Sequence, residues 1–307
     1  MSNQTNLMQG IIPALITPYT ASGQLNEPVT RQLVRHLLKK GVGGFYLSGS
    51  TGEGFLQTIS ERKAFLELAL DEVKGEVPVI THIGAMDTAT CVELTRHAAD
   101  VGAAAVSAVA PFYYKHGLEQ VKEHYLDIAR AADIPLIMYH FPAMTGVNAT
   151  AAFYAELAQE PNIIGVKFTS TNTFELQQLM AACGPDFLVF NGPDEALLAG
   201  LAMGCCGAIG STYNIMPGKF VELYKAFQQG DLTSSRAIQF EVNEVIAELI
   251  KYDFIAFERE ILRLQGFEVG APRKPIQQLT AEQRQSIRTF AEQFAFLDIQ
   301  EGVKQEA

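Results

Sequence analysis

Apolar residues along the chain fall into two alternating kinds of segment. Short continuous aliphatic or aromatic runs occupy residues 11–16, 44–47, 77–82, 103–109, 134–139, 163–168, 187–190 and 207–210. A run that is apolar at nearly every position, instead of every second one, is the mark of a parallel strand covered on both faces. The stretches between the runs have a helical period. Val29, Leu33, Val34, Leu37 and Leu38 share one helical face, and a Thr58-x-x-Glu61 capping box opens the next helix above Phe65, Leu66, Ala69 and Leu70. The unit of strand, helix and two loops repeats every ~25–35 residues. After Tyr213 no further strand pattern follows. Residues 220–229, 234–251, 254–265 and 281–296 read as helices, and 300–307 as a polar tail.

Eight strand–helix units predict a TIM (β/α)8 barrel in preference to a doubly wound sheet. A solenoid is disfavoured because the units vary in length and no leucine-rich or helical-repeat consensus recurs. The helix at 220–229 closes the barrel, and the next three form a C-terminal three-helix extension. The expected division is a catalytic barrel over 1–230 and a helical extension over 231–307. No low-complexity linker separates the two, so they are expected to pack together.

Charge and composition narrow the function. The 307-residue chain has 23 basic and 34 acidic residues, a net charge of −11. A sequence pI near 5.1 argues against nucleic acid as a partner, which requires basic surface. A small anionic substrate stays possible, because local donors bind one against an unfavourable global field. No stretch approaches the ~20 uncharged apolar residues of a membrane span. The first six residues carry no basic start or apolar core, so no signal peptide is expected and the protein is placed in the cytoplasm. Cys91, Cys183, Cys205 and Cys206 form neither a disulfide framework nor a metal-ligand spacing, and the six histidines show no such spacing either. A metal-free protein of a reducing compartment is expected. His36, His97 and His124 fall within helices and are expected to serve packing or surface roles.

In a barrel of this kind the active site lies at the C-terminal ends of the strands. Lys167 closes the apolar run Ile163-Ile164-Gly165-Val166, where an ammonium is expensive to bury. A neutral amine there suits Schiff-base chemistry with a ketone, although a lysine paired with a carboxylate or reaching the barrel mouth fits the same pattern. Tyr139 ends the preceding strand and is either a proton shuttle beside that amine or a core tyrosine. The Gly49-Ser50-Thr51-Gly52-Glu53 loop combines two glycines with two hydroxyls, as in a carboxylate-binding nest, but an ordinary strand–helix loop has the same composition. It is not a phosphate-binding P-loop or a nucleophile elbow. Asp194-Glu195 suits a polyhydroxylated ligand, although the acidic first turn of a helix is the commoner origin of such a pair.

These residues carry a resemblance. Gly-Ser-Thr-Gly-Glu at 49–53, Tyr139, Gly-Val-Lys at 165–167 and Gly-Ala-Ile-Gly-Ser at 207–211 resemble the N-acetylneuraminate lyase and dihydrodipicolinate synthase family of pyruvate-dependent class I aldolases. The resemblance spans nearly the whole chain and favours the lyase branch. Ser-Thr stands at 50–51 where the synthase branch usually has Thr-Thr, and 139–146 lacks the arginine with which a synthase holds a second carboxylate.

The resemblance implies roles. Lys167 forms the imine, Ser50 and Thr51 hold the adjacent carboxylate, and Tyr139 shuttles the proton with Ser50 and Tyr113 in its relay, Tyr113 coming from a neighbouring subunit of a homotetramer. Thr169, Gly192, Asp194, Glu195 and Ser211 bind the middle and tail of a sugar acid, and Phe254 walls the pocket. Two other readings are a sibling aldolase or synthase, including one acting on 2-keto-3-deoxy sugar acids, and a ligand-binding regulator on a retained barrel. The pairing of Lys167 with Tyr139 argues against the regulator.

Overall fold

Each apolar run coincides with or overlaps a strand in the computed structural model, which describes residues Met8–Gln300. The strands are β1 (Gly10–Pro13), β2 (Phe45–Leu47), β3 (Val79–His82), β4 (Ala105–Val109), β5 (Leu136–His140), β6 (Ile163–Phe168), β7 (Leu188–Asn191) and β8 (Gly207–Gly210). All are paired in parallel, in the order β1-β8-β7-β6-β5-β4-β3-β2. The circle closes where Ala14 bridges Tyr46 and the Leu15 N–H donates to the Tyr46 carbonyl at 2.8 Å. This is a TIM barrel.

The helices between strands are α1 (Glu27–Lys39), α2 (Ile59–Val73), α3 (Thr88–Asp100), α4 (Leu118–Ala129), α5 (Pro142–Thr145), α6 (Ala151–Leu157), α7 (Thr173–Cys183) and α8 (Leu197–Met203). After β8 come α9 (Pro217–Gln228), α10 (Leu232–Leu249), α11 (Phe254–Leu264) and α12 (Ala281–Ala291). The anticipated capping box is formed: Thr58 accepts from the Glu61 N–H, and the Glu61 carboxylate accepts from the Thr58 N–H. The last helix is shorter than its pattern. It ends at Ala291, and the chain turns through an extended Phe294 into a separate 3-10 turn, Ala295–Leu297. Apart from Gln300, the polar tail lies outside the described residues, as does the segment 1–7.

Two apolar layers hold the barrel. Ile12, Tyr46, Ile80, Ala105, Ile137, Phe190 and Ile209 pack inside the ring of strands, and a larger cluster fills the space between strands and helices. The last helices are tied to the barrel by buried polar contacts. The Gln239 side chain of α10 accepts from the Leu198 N–H at 2.9 Å and donates to the Asp194 carbonyl at 3.2 Å. Gln265, just past α11, donates to the Ile215 carbonyl at 2.9 Å. These contacts bring α10 and α11 to the loops that follow β7 and β8.

Candidate active site

Strand register sets the centre of the site. Ile137 packs inside the barrel, and Tyr139, two residues on, shares its face. Across the ladder Ile137 pairs with Gly165, and Tyr139 pairs with Lys167. Lys167 is therefore delivered inward beside Tyr139. Its side chain is buried, with Nζ 4.4 Å from the centre of the Tyr139 ring and 4.8 Å from that of Tyr46. No carboxylate forms an ion pair with Lys167 among the described residues, so a lysine paired with a carboxylate is not what the structure shows. The amine is held by aromatic faces.

Tyr46 was not singled out from sequence. It is fully buried, donates to Ser107 Oγ at 3.0 Å, and stands edge-on to Tyr139 with ring centres 6.3 Å apart. His82 completes the aromatic wall. The Val109 N–H donates to His82 Nε2 at 3.2 Å, which leaves the proton on Nδ1, directed at the Ser48 carbonyl 3.2 Å away. Burial, with the Arg62 and Lys167 charges, holds this imidazole well below its usual pKa. It is a neutral support for the β2 loop and the β4 end. The signal for both residues was an inward polar group within an apolar strand.

The glycine-rich loop after β2 is strained and clamped. Ser48 and Glu53 both adopt left-handed backbone, with φ of 53° and 57°. A side chain at Gly54 would lie 1.8 Å from the Ser48 carbonyl oxygen, so only glycine permits this return. Glu53, read from sequence only as the motif's end, is buried and paired with Arg259 of α11. Its second oxygen accepts from the Arg273 N–H at 2.7 Å. Arg259 also donates to the Thr17 carbonyl at 2.7 Å and the Val269 carbonyl at 2.6 Å. Thus α11 fixes the loop that carries half-buried Ser50 and buried Thr51.

On the opposite side, β6, β7 and β8 present Thr169, Gly192, Asp194 and Ser211. A side chain at Gly192 would lie 2.0 Å from Thr169 Oγ1, so these two strand ends are in close contact. The Thr169 hydroxyl is buried without a hydrogen-bond partner. Asp194 and Glu195 part company. Glu195 is exposed, whereas the buried Asp194 turns Oδ2 to the Thr212 N–H at 2.8 Å and the Thr212 hydroxyl at 2.7 Å. Asp194 Oδ1 is buried and unpartnered. Burial raises its pKa to about 6, against the lowering effect of the Thr212 donors.

A cavity of about 300 Å³ lies on the β2-loop side, lined by Ser50, Phe55, Val109, Phe112, Phe141 and Phe254 among others; Lys167, Tyr139, Thr169, Asp194 and Ser211 are not among its lining residues. Phe55 joins it to the wall below, edge-on to His82 at 5.5 Å and to Phe112 at 4.9 Å. Ser50 and Phe254, distant in sequence, thus meet at one opening. Tyr113 is not brought in: it is 74% exposed and packs edge-on against Tyr114 at 5.1 Å. The helical histidines serve local contacts, His36 against the Phe267 ring, His97 with Glu67 and His124 with Thr88. Among the described residues no group of three or more His, Cys, Asp or Glu side chains is placed to hold a metal ion.

Over residues 7–294 the sequence matches the dihydrodipicolinate synthetase family. The chain belongs to that family. Among its members, the N-acetylneuraminate lyase of Clostridium perfringens is 36% identical over 276 residues, which cover 90% of this chain and 96% of the lyase. A solved sialic acid aldolase of Ruminococcus gnavus, with its catalytic lysine mutated, superposes with a TM-score of 0.91 at 31% identity, over 95% of this chain and 96% of the aldolase. A dihydrodipicolinate synthase from Aquifex aeolicus superposes equally well, with a TM-score of 0.91 at 28% identity, over 95% of this chain and all of the synthase. Backbone shape is common to the family's branches, so substrate choice must be argued from side chains.

Proposed function

We propose that the protein is a pyruvate-dependent class I aldolase that cleaves N-acetylneuraminate reversibly to N-acetylmannosamine and pyruvate. The observation that carries this reading is Lys167 itself: a buried amine without a carboxylate partner, set against Tyr139 at the ends of paired strands. Relatives named for this reaction at 36% identity over most of both chains support the choice of substrate.

The Lys167 amine adds to the C2 ketone of the open-chain sugar acid and water leaves, forming an iminium. Ser50, Thr51 and neighbouring N–H groups bind the adjacent carboxylate. The C4 hydroxyl gives its proton to the Tyr139 relay, and the C3–C4 electrons pass into the iminium as that bond breaks. N-acetylmannosamine departs as the aldehyde and an enamine remains. Tyr139 returns the proton to C3, and water hydrolyses the pyruvyl imine to restore the amine. Thr169, Gly192, Asp194, Glu195 and Ser211 receive the rest of the sugar, and Phe254 walls it. The chemistry needs no metal or organic cofactor, because the iminium is the electron sink.

Exposed Tyr113 fits a residue donated across an interface, and we place it in the relay of a neighbouring chain within a homotetramer. The barrel is assigned to 1–230 and the helical extension to 231–307. No helix among the described residues is long and apolar enough to cross a membrane, and a cytoplasmic enzyme is the reading we favour. The deciding experiment compares pyruvate release from N-acetylneuraminate with condensation of pyruvate and aspartate semialdehyde. Preference for the first is expected. Preference for the second would make the protein a synthase while leaving the barrel and its lysine intact.

A further inference from the structure

Helix α11 carries three consecutive charged residues that are all buried: Glu258, Arg259 and Glu260. Neighbours on a helix point in different directions, so each meets a different part of the protein. Glu260 pairs with Arg263 and Arg284, at 2.6 Å in each case. Arg259 is committed to Glu53 and to the carbonyls of Thr17, Val269 and Gly270. Glu258 has no comparable cation. It is 0% exposed and both carboxyl oxygens lack a well-formed hydrogen bond.

The side-chain group that Glu258 meets is the Ser211 hydroxyl, and the Asp194 carboxyl and the Arg259 guanidinium act on it through their charges. Burial holds the Glu258 carboxyl well above the usual range, and Asp194 adds to the rise. A carboxylate buried without a partner is costly enough that it takes up a proton instead. The ligand-facing consequence lies in hydrogen-bond polarity. A carboxylate at 258 would accept from Ser211 and use up its only proton. A carboxylic acid donates to the Ser211 oxygen and leaves that proton free.

We propose that Glu258 is a positioning residue of the tail-binding pocket: as a neutral acid it donates to Ser211 and turns the Ser211 hydroxyl hydrogen toward the substrate. The Ser211 hydroxyl is then a hydrogen-bond donor to the polyol, while Asp194 Oδ1 is turned toward Gly210 and Tyr213. This inference rests on the sugar-cleavage reading above.

The test is steady-state cleavage of N-acetylneuraminate by the wild type, Glu258→Leu and Glu258→Gln, with borohydride trapping of the pyruvate imine in each. Glu258→Leu should raise the KM by roughly 5–10-fold, the worth of one lost hydrogen bond, with a smaller change in kcat and normal trapping. Glu258→Gln should bring the KM back to within about 2-fold, because the amide N–H donates in place of the acid. An unchanged KM in the leucine variant would overturn the proposal. So would a glutamine variant as impaired as leucine, since that would mean the ionised form is the working one. If Glu258→Leu does not fold, the glutamine variant decides: a KM ratio to wild type that drifts with pH between about 6.5 and 9 would reveal an ionising Glu258 and refute its neutral state. A wild type inactive on N-acetylneuraminate overturns the sugar reading and this inference together. An active wild type with an indifferent leucine variant overturns only the role of Glu258.

Discussion

Replacing Arg259 with leucine removes the cation that holds the β2 loop to the last part of the chain. Glu53 would keep a carboxyl with a fully buried side chain, and the carbonyls of Thr17 and Val269 would lose their guanidinium donors. Only the Arg273 N–H, at 2.7 Å, would still serve Glu53. Stripping one partner from a buried ion pair costs about 3–5 kcal/mol, chiefly because the survivor stays buried and uncompensated. That is a large share of the ~5–15 kcal/mol that stabilises a typical folded domain. Equilibrium urea unfolding should therefore show a lower midpoint with little change in slope. Glu53→Gln alone should also destabilise. Adding it to Arg259→Leu should cost much less than the sum, since the second change removes the stranded charge. Because Ser50 and Thr51 sit within the clamped loop, pyruvate should bind more weakly in both single variants. A loss below ~1 kcal/mol for Arg259→Leu, or strict additivity with Glu53→Gln, would refute the clamp.

Tyr139→Phe keeps the ring packing against Lys167 but removes the phenol, so turnover should fall by ~10²-fold or more while imine trapping changes little. Equal losses in both would make Tyr139 a structural support. Asp194, whose carboxyl is raised to about 6 from 3.8, holds its proton in the folded state over a range where the unfolded chain has lost it. Its contribution to stability is therefore present at low pH and declines as pH rises from about 4 to about 6, by ~2–3 kcal/mol in all. Unfolding curves across that range should show a shallower decline for Asp194→Asn, and identical pH profiles would contradict the shift. Gly192→Ala would drive a methyl to 2.0 Å from Thr169 Oγ1 and 2.8 Å from the Phe168 carbonyl oxygen. It should cost ~1–3 kcal/mol by overpacking and raise the KM for the sugar acid before that for pyruvate, and an unaffected variant would argue against the close β6–β7 contact.

The barrel was legible because parallel strands buried on both faces leave uninterrupted apolar runs, and each of the eight runs overlaps one strand. Boundaries shifted by one to three residues, most where the run continued into a loop, as at 11–16 against Gly10–Pro13. Lys167 and Tyr139 were legible because a lysine or tyrosine ending an apolar strand is out of place. Tyr46 and His82 were harder to see. An aromatic inside a strand passes as core until the register shows which face it occupies. Asp194 and Glu195 look alike in sequence, and only the turn at 194–196 sends one inward and leaves the other in solvent. The Glu53–Arg259 pair spans more than two hundred positions, so no local pattern announces it. Glu258 is hidden for a different reason: a charged triplet on a helix reads as a solvated face until all three prove buried.

The central claim is that Lys167 forms an imine with pyruvate inside the barrel. Incubating the protein with pyruvate, reducing with borohydride and measuring the intact mass and peptide map tests it directly. One irreversible adduct per chain, located at Lys167 and absent from Lys167→Ala, is the predicted result. No adduct, or one at a different lysine such as Lys251 or Lys274, would contradict the account.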